Sequence, residues 1–288
     1  MKTPQISLRR LALLGVAAFA LVSCEKEAET TDLAETGESL DTAVLLQADE
    51  SEWISEELVN LGEEVYEDEM SASGKGPAFA GLIPDCATVT TVRTETTVTR
   101  TVDFGEGCEM PNGNVLTGIL TLEFARNPEA ASRTFELSLA DFTFNGIAVE
   151  GGAHVLRVLD NGQGNPQSEV QSGFAATWPD GQTATWNGNR TREWVEGFGS
   201  GFWGDNVFLI TGSQSFTGPL GNTFSRTVLE PLRREASCRF LVSGVLEIQR
   251  NEATASLDFG DGSCDAFGEL TRADGTVETV QLRRRMRP

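Results

Sequence analysis

Four textures of apolar and polar residues follow one another along the chain, and each predicts a different element. The first is an unbroken apolar run, Leu11 to Val22, preceded by Lys2, Arg9 and Arg10. At twelve residues it is too short to span a bilayer as a helix and has the length of a signal-peptide core, which makes 1–23 a removable leader. Residues 24–48 are polar, acidic and without period, as a solvated tether is. In residues 49–70, Ile54, Leu58, Leu61 and Val65 recur at spacings of four, three and four, which predicts an amphipathic helix. Asp49 with Glu52 three residues later suits its N-cap. The acids from Glu63 to Glu69 stand where the helix dipole prefers cations, so that half is expected to fray. Residues 71–84, with Gly74, Gly76 and Gly81, read as a linker.

From residue 85 to 288 the pattern becomes short runs of threonine, valine and phenylalanine, punctuated by turn signals. Asn112-Gly113, Asn161-Gly162, Pro179-Asp180-Gly181 and Asp274-Gly275 are among these signals. Such punctuation predicts an all-β antiparallel domain of roughly 12–14 strands, either a β-sandwich or a closed barrel. The recurrence of similar hairpins near both ends of this domain suggests that its terminal strands come together.

Charge narrows the chemistry. The formal net charge is −21, and residues 25–70 hold seventeen acids against one base, Lys26. A chain of this sign repels nucleic-acid phosphates, so no nucleic-acid partner is expected. Beyond residue 76 there is no lysine but there are seventeen arginines, four of them (Arg283, Arg284, Arg285, Arg287) in a tail expected to be solvated. His154 is the only histidine of the chain and falls in a strand-like segment, which leaves little for a histidine-based nucleophile or metal site. Carboxylates such as Glu193 with Asp180 or Asp205 are numerous, but spacing in a β chain cannot establish a catalytic separation. No catalytic residue and no cofactor is assigned.

Thr101-Val102-Asp103-Phe104-Gly105-Glu106-Gly107-Cys108 recurs as Ser256-Leu257-Asp258-Phe259-Gly260-Asp261-Gly262-Ser263-Cys264, each copy with a cysteine upstream, Cys86 and Cys238. Four cysteines in an exported chain allow three disulfide pairings. Hairpin registers that place Cys86 opposite Cys108 and Cys238 opposite Cys264 also set Val92 against Val102 and Val245 against Leu257, which favours those two bonds. Asp258, Asp261 and Asp265 are weak calcium candidates, because Asp-Gly is also ordinary turn chemistry and the spacing is not that of an EF-hand.

Four of the five tryptophans, Trp178, Trp186, Trp194 and Trp203, fall within 26 residues. A three-residue hairpin loop at Pro179-Asp180-Gly181 makes Trp178 oppose Gln182 and Phe174 oppose Trp186. Phe174, Trp178, Trp186 and Trp194 then share one face. That face is either the core of the domain or an exposed platform on which sugar rings could stack.

Leu21-Val22-Ser23-Cys24, closing the leader, resembles the lipobox read by lipoprotein signal peptidase, so Cys24 is the expected lipidated first residue. The segments Asp103-Phe104-Gly105…Cys108, Thr191-Arg192-Glu193-Trp194, Leu209-Ile210-Thr211-Gly212, Glu230-Pro231-Leu232 and Ser237-Cys238-Arg239-Phe240 together resemble a family of functionally uncharacterised Bacteroidota lipoproteins. The lysine-free domain and the arginine-rich tail depart from that family's usual look. The resemblance implies an outer-membrane, lipid-anchored protein with a β-rich domain, on either side of that membrane, and transfers no active site. The expected role is a binding or structural module of the cell envelope. Its partners are the membrane through its anchor and a glycan or another envelope protein; the alternatives are a glycan-binding accessory using the tryptophan face, or a carrier of an apolar ligand if a closed sheet is hollow.

Overall fold

The structure is a computed structural model in which residues 42–72, 83–126 and 132–282 are described. Cys24, most of the tether and linker, and the arginine-rich tail lie outside these residues.

Among the described residues, one α-helix, α1 (Thr42–Ala72), precedes fourteen strands. They are β1 (Thr88–Arg93), β2 (Thr97–Asp103), β3 (Cys108–Glu109), β4 (Val115–Ala125), β5 (Ser132–Phe144), β6 (Ile147–Val158) and β7 (Gln167–Thr177). There follow β8 (Thr183–Glu196), β9 (Val207–Thr217), β10 (Thr223–Glu235), β11 (Leu241–Arg250), β12 (Ala253–Asp261), β13 (Phe267–Arg272) and β14 (Val277–Gln281). All belong to a single antiparallel meander in chain order, with only the two-residue β3 off the path, paired to β4. The fold is therefore all-β with one helix, and a two-sheet sandwich is excluded among the described residues.

Side chains of α1 touch strands from one edge of the sheet to the other: Arg93 of β1, Arg100 of β2, Arg157 of β6, Arg190 of β8, Arg234 of β10 and Arg272 of β13. A sheet that reaches one helix from so many strands must curl around it, and α1 is buried on every side. The terminal strands nevertheless do not pair, contrary to expectation. Thirteen strands alternate along the main path, so β1 and β14 point the same way and closure would need a parallel pair. Both edges are short, six and five residues, which limits edge-to-edge association.

Strand-interior glycines permit the curl. At Gly151 (φ 113°) a Cβ would stand 2.1 Å from the carbonyl oxygen of Gly173, and at Gly212 (φ 115°) 2.3 Å from that of Asn189. No other residue fits so close to a neighbouring backbone, and such kinks let a sheet turn a corner. Glu230-Pro231-Leu232 lies in a break of the β9–β10 and β10–β11 registers, where proline's missing N–H costs no ladder bond.

The alternation of each strand sends apolar residues inward and polar ones outward. In β7, Val170, Phe174 and Ala176 are buried while Glu169, Gln171 and Thr177 are exposed. Across β7 to β10 the outward rung Gln171, Asn189, Ser213, Thr227 is wholly polar, unlike the apolar band of a lipid-facing barrel.

Both disulfides are formed, Cys86–Cys108 and Cys238–Cys264, with Cα separations of 5.5 and 5.7 Å. The hairpin registers differ from those inferred through them. Val92 faces Thr99 rather than Val102, and Leu246, not Val245, faces Leu257. Cys86, Cys238 and Cys264 lie in loops outside the ladders, so the bonds pin the loops and leave the registers to the turns and the bulge at Gly244.

Candidate functional site

The most unusual chemistry of the molecule is inside the sheet. Helix α1 begins at Thr42, seven residues before Asp49, and carries ten acids and no base. Its apolar side chains Ile54, Leu58, Leu61 and Val65 are buried, as the stripe predicts, and Leu45 is buried ahead of them. Glu52, Glu56, Glu63 and Glu67 form a second stripe, spaced four, seven and four, and are buried as well. Like charges at i,i+4 disfavour an isolated helix. What makes this one stable lies on the strands.

Arg100, Arg157, Arg190, Arg192, Arg226 and Arg234 occupy inward positions and are buried. Arg190 grips Glu52 with two bonds, at 2.9 and 2.8 Å, a fork geometry that only arginine supplies. Arg192 lies between Glu56 (3.0 Å) and Glu63. Arg157 meets Glu67 at 3.3 Å, Arg234 meets Glu57 at 2.5 Å, and Arg100 meets Asp68 at 2.7 Å. Arg226 donates to the Ala48 carbonyl and to Gln214. Aromatic faces take the other sides of these cations: Phe208 lies 4.3 Å from Arg192 and Trp53 4.6 Å from Arg234. The helix runs from one rim to the other. Its first half reaches the β7–β8 turn, where Gln47 bonds Gln182 and Glu50 accepts from the Trp178 indole at 2.9 Å. Its second half reaches Arg93 at the end of β1 and Asn206 beside β9. The acidic C-terminal half is therefore held rather than frayed, because strand guanidiniums supply the cations its own sequence lacks.

Burial disturbs the titration of this interior. Desolvation raises the Glu56 carboxyl to about 7 against the pull of Arg192, and raises Glu64 to about 8, with Glu63 and Glu67 adding to the rise. Arg226 is pushed down to about 10, by burial first and by Arg190 as well. A cavity of about 20 Å³ beside Glu57, Asn112, Asn114 and Phe144 has room for about one water molecule.

The tryptophan face is formed as its turn dictates and is turned inward. The Trp178 amide donates to Gln182, Gly181 is left-handed at φ 82°, and Phe174 pairs with Trp186. Phe174, Trp178, Trp186 and Trp194 are all 4% exposed or less, so they are lumen wall around α1 and not a platform for sugars. The correction is one of context: the alternation is right, but the side it points to is filled by the chain's own helix. Tryptophan emission is expected to be blue-shifted and resistant to acrylamide in the native protein. Quenching as strong as that of free indole would contradict the burial.

The other candidates separate. Asp180 sits in the β7–β8 turn and Glu193 near the far end of β8, about 40 Å along the strand. Glu193 accepts from Asn161 and Asn165 and so fastens the β6–β7 loop; Asp205 accepts from Ser200. Asp258, Asp261 and Asp265 each cap a backbone N–H two residues ahead. No metal-holding group of His, Cys, Asp and Glu occurs among the described residues. The calcium candidates are turn residues. His154 lies on the outer face, 2.5 Å from Glu136.

Comparison with protein-family models, with curated proteins and with solved structures yields no match.

Proposed function

We propose that this protein is a lipid-anchored module of the cell envelope, placed at the outer membrane, which binds or braces through its outer surface and rims and performs no catalysis. The observation that carries this reading is the occupied lumen. The interior that could have housed a ligand is filled by α1 through ion pairs and apolar contacts. The two features that suggested other roles, an exposed tryptophan face and a hollow sheet, are respectively buried and filled.

The anchor fits this architecture. Cys24 stands eighteen residues before Thr42, so a lipid there would tether the domain through the segment that leads into α1. The rim opposite the start of α1 carries the glycine-rich β8–β9 connection, where Phe202 is 68% exposed and Phe198 is exposed as well. Phe198 and Phe202 together offer an apolar contact there for another envelope component.

Metabolic labelling with a clickable fatty acid tests the anchor. The wild-type protein is expected to carry label and sediment with membranes, and Cys24→Ser to lose both. Wild-type protein that is soluble and unlabelled would overturn the proposal.

A further inference from the structure

We infer that docking of α1 in the lumen is coupled to proton uptake, with Glu56 and Glu64 held as neutral acids, so that the helix is gripped most firmly in acid and loosens in alkali. The geometry gives the pairing. Glu56, Glu63, Glu64 and Glu67 line one stretch of the buried helix; Arg192 and Arg157 pair with them directly, Arg190 and Arg133 act from nearby, and Arg226 joins Arg190 on Glu52 at 3.4 Å. Arg192 is shared by Glu56 and Glu63, and Arg157 is engaged by Glu67. Arg190 of the same strand faces Glu56 but is already gripped by Glu52, itself a further negative neighbour. Glu64 meets only the neutral amide of Asn206, at 3.3 Å, and its second oxygen is buried without a partner. Arg133 faces Tyr66 and lies near Glu67.

Glu56 and Glu63 share the single guanidinium of Arg192, and among the described residues no guanidinium forms an ion pair with Glu64; carboxylates left short of counter-charge in a dry interior are neutralised by protonation. The shifts of Glu56 and Glu64 agree with that pairing. For the sign, each of the two is raised above the ordinary 4.5, so its contribution to stability is complete below about pH 4.5. It is lost as pH rises through about 7 for Glu56 and about 8 for Glu64. Because Asn206 ends the β8–β9 connection, charging Glu64 would be felt at the rim that bears Phe198 and Phe202.

Refolding in dilute buffer at pH 6 with an indicator dye measures the linkage directly. The wild type is expected to take up about two protons more than Glu56→Gln/Glu64→Gln. Its unfolding midpoint should fall between pH 6 and 9 more steeply than that of the double variant. Equal uptake by the two proteins would overturn the inference. A second readout needs no variant: the infrared band of protonated carboxyls should be present in the folded wild type at pH 6 and gone by pH 9. Its absence at pH 6 would equally refute proton-coupled docking.

Discussion

Arg192→Ala is expected to destabilise the protein by about 3–5 kcal/mol, the cost of leaving buried carboxylates without their counter-charge. Arg192 has no exposed side-chain surface and stands between Glu56 and Glu63, so its loss leaves Glu63 without its cation and removes the donor that Glu56 faces. Its stack on Phe208 goes too. In a domain of this size the melting temperature should fall on the order of 10 °C. The loss should be smaller at pH 5 than at pH 8, because acids that have lost their cation can be neutralised by protons instead. A compensated variant, Arg192→Met with Glu56→Gln and Glu63→Gln, should recover most of the stability, since a buried ion cluster can be replaced by groups of like volume at little cost. Calorimetry on the three proteins distinguishes the outcomes. If Arg192→Ala melts within 2–3 °C of wild type, roughly 1 kcal/mol, the cluster is not a buried one.

Several parts of this arrangement are legible in the sequence because they are local. The loop Pro179-Asp180-Gly181 sets a register that runs unbroken from Thr177↔Thr183 to Gln167↔Glu193, and so fixes which side chains share a face. The repeated glycine-acid segments locate the two disulfides. What no local pattern reveals is the partner of each face. Trp186, Arg190, Arg192 and Trp194 are all inward positions of β8, and only the curl of the sheet around α1 turns them from a mixed surface into a core.

The helix shows the same division. Its apolar stripe is visible from Ile54 to Val65, yet Leu45 and Ala48 extend the buried face back into what composition presents as tether. The wall formed by Trp178, Gln182, Arg226 and Arg272 holds this first part of the helix. The signal was present as a pair of facts. Acids recur with helical period at 52, 56, 63 and 67, and the strands carry arginine to the exclusion of lysine. Arginine is the cation suited to buried, bidentate pairing, so a lysine-free domain beside an acidic helix is the footprint of a buried ionic interface.

That interface predicts that the sheet cannot fold without its helix. Excising residues 42–72 would leave six buried arginines facing one another across a lumen whose walls include Trp178, Trp186, Trp194, Phe135, Phe208 and Phe216. Like charges in a low-dielectric interior and a large empty apolar surface both oppose closure. The truncated chain is expected to show no cooperative unfolding transition and to aggregate, even with both disulfides intact. Adding a synthetic peptide of residues 42–72 should restore the near-ultraviolet circular dichroism of the lumen tryptophans, because the lost contacts are side-chain contacts that do not require a continuous chain. Charge-reversed peptide, with Glu52, Glu56 and Glu63 replaced by lysine, should fail to do so. Should the truncated chain instead fold cooperatively and stay monomeric, the lumen would be a true cavity. A ligand-carrying role would then displace the structural one.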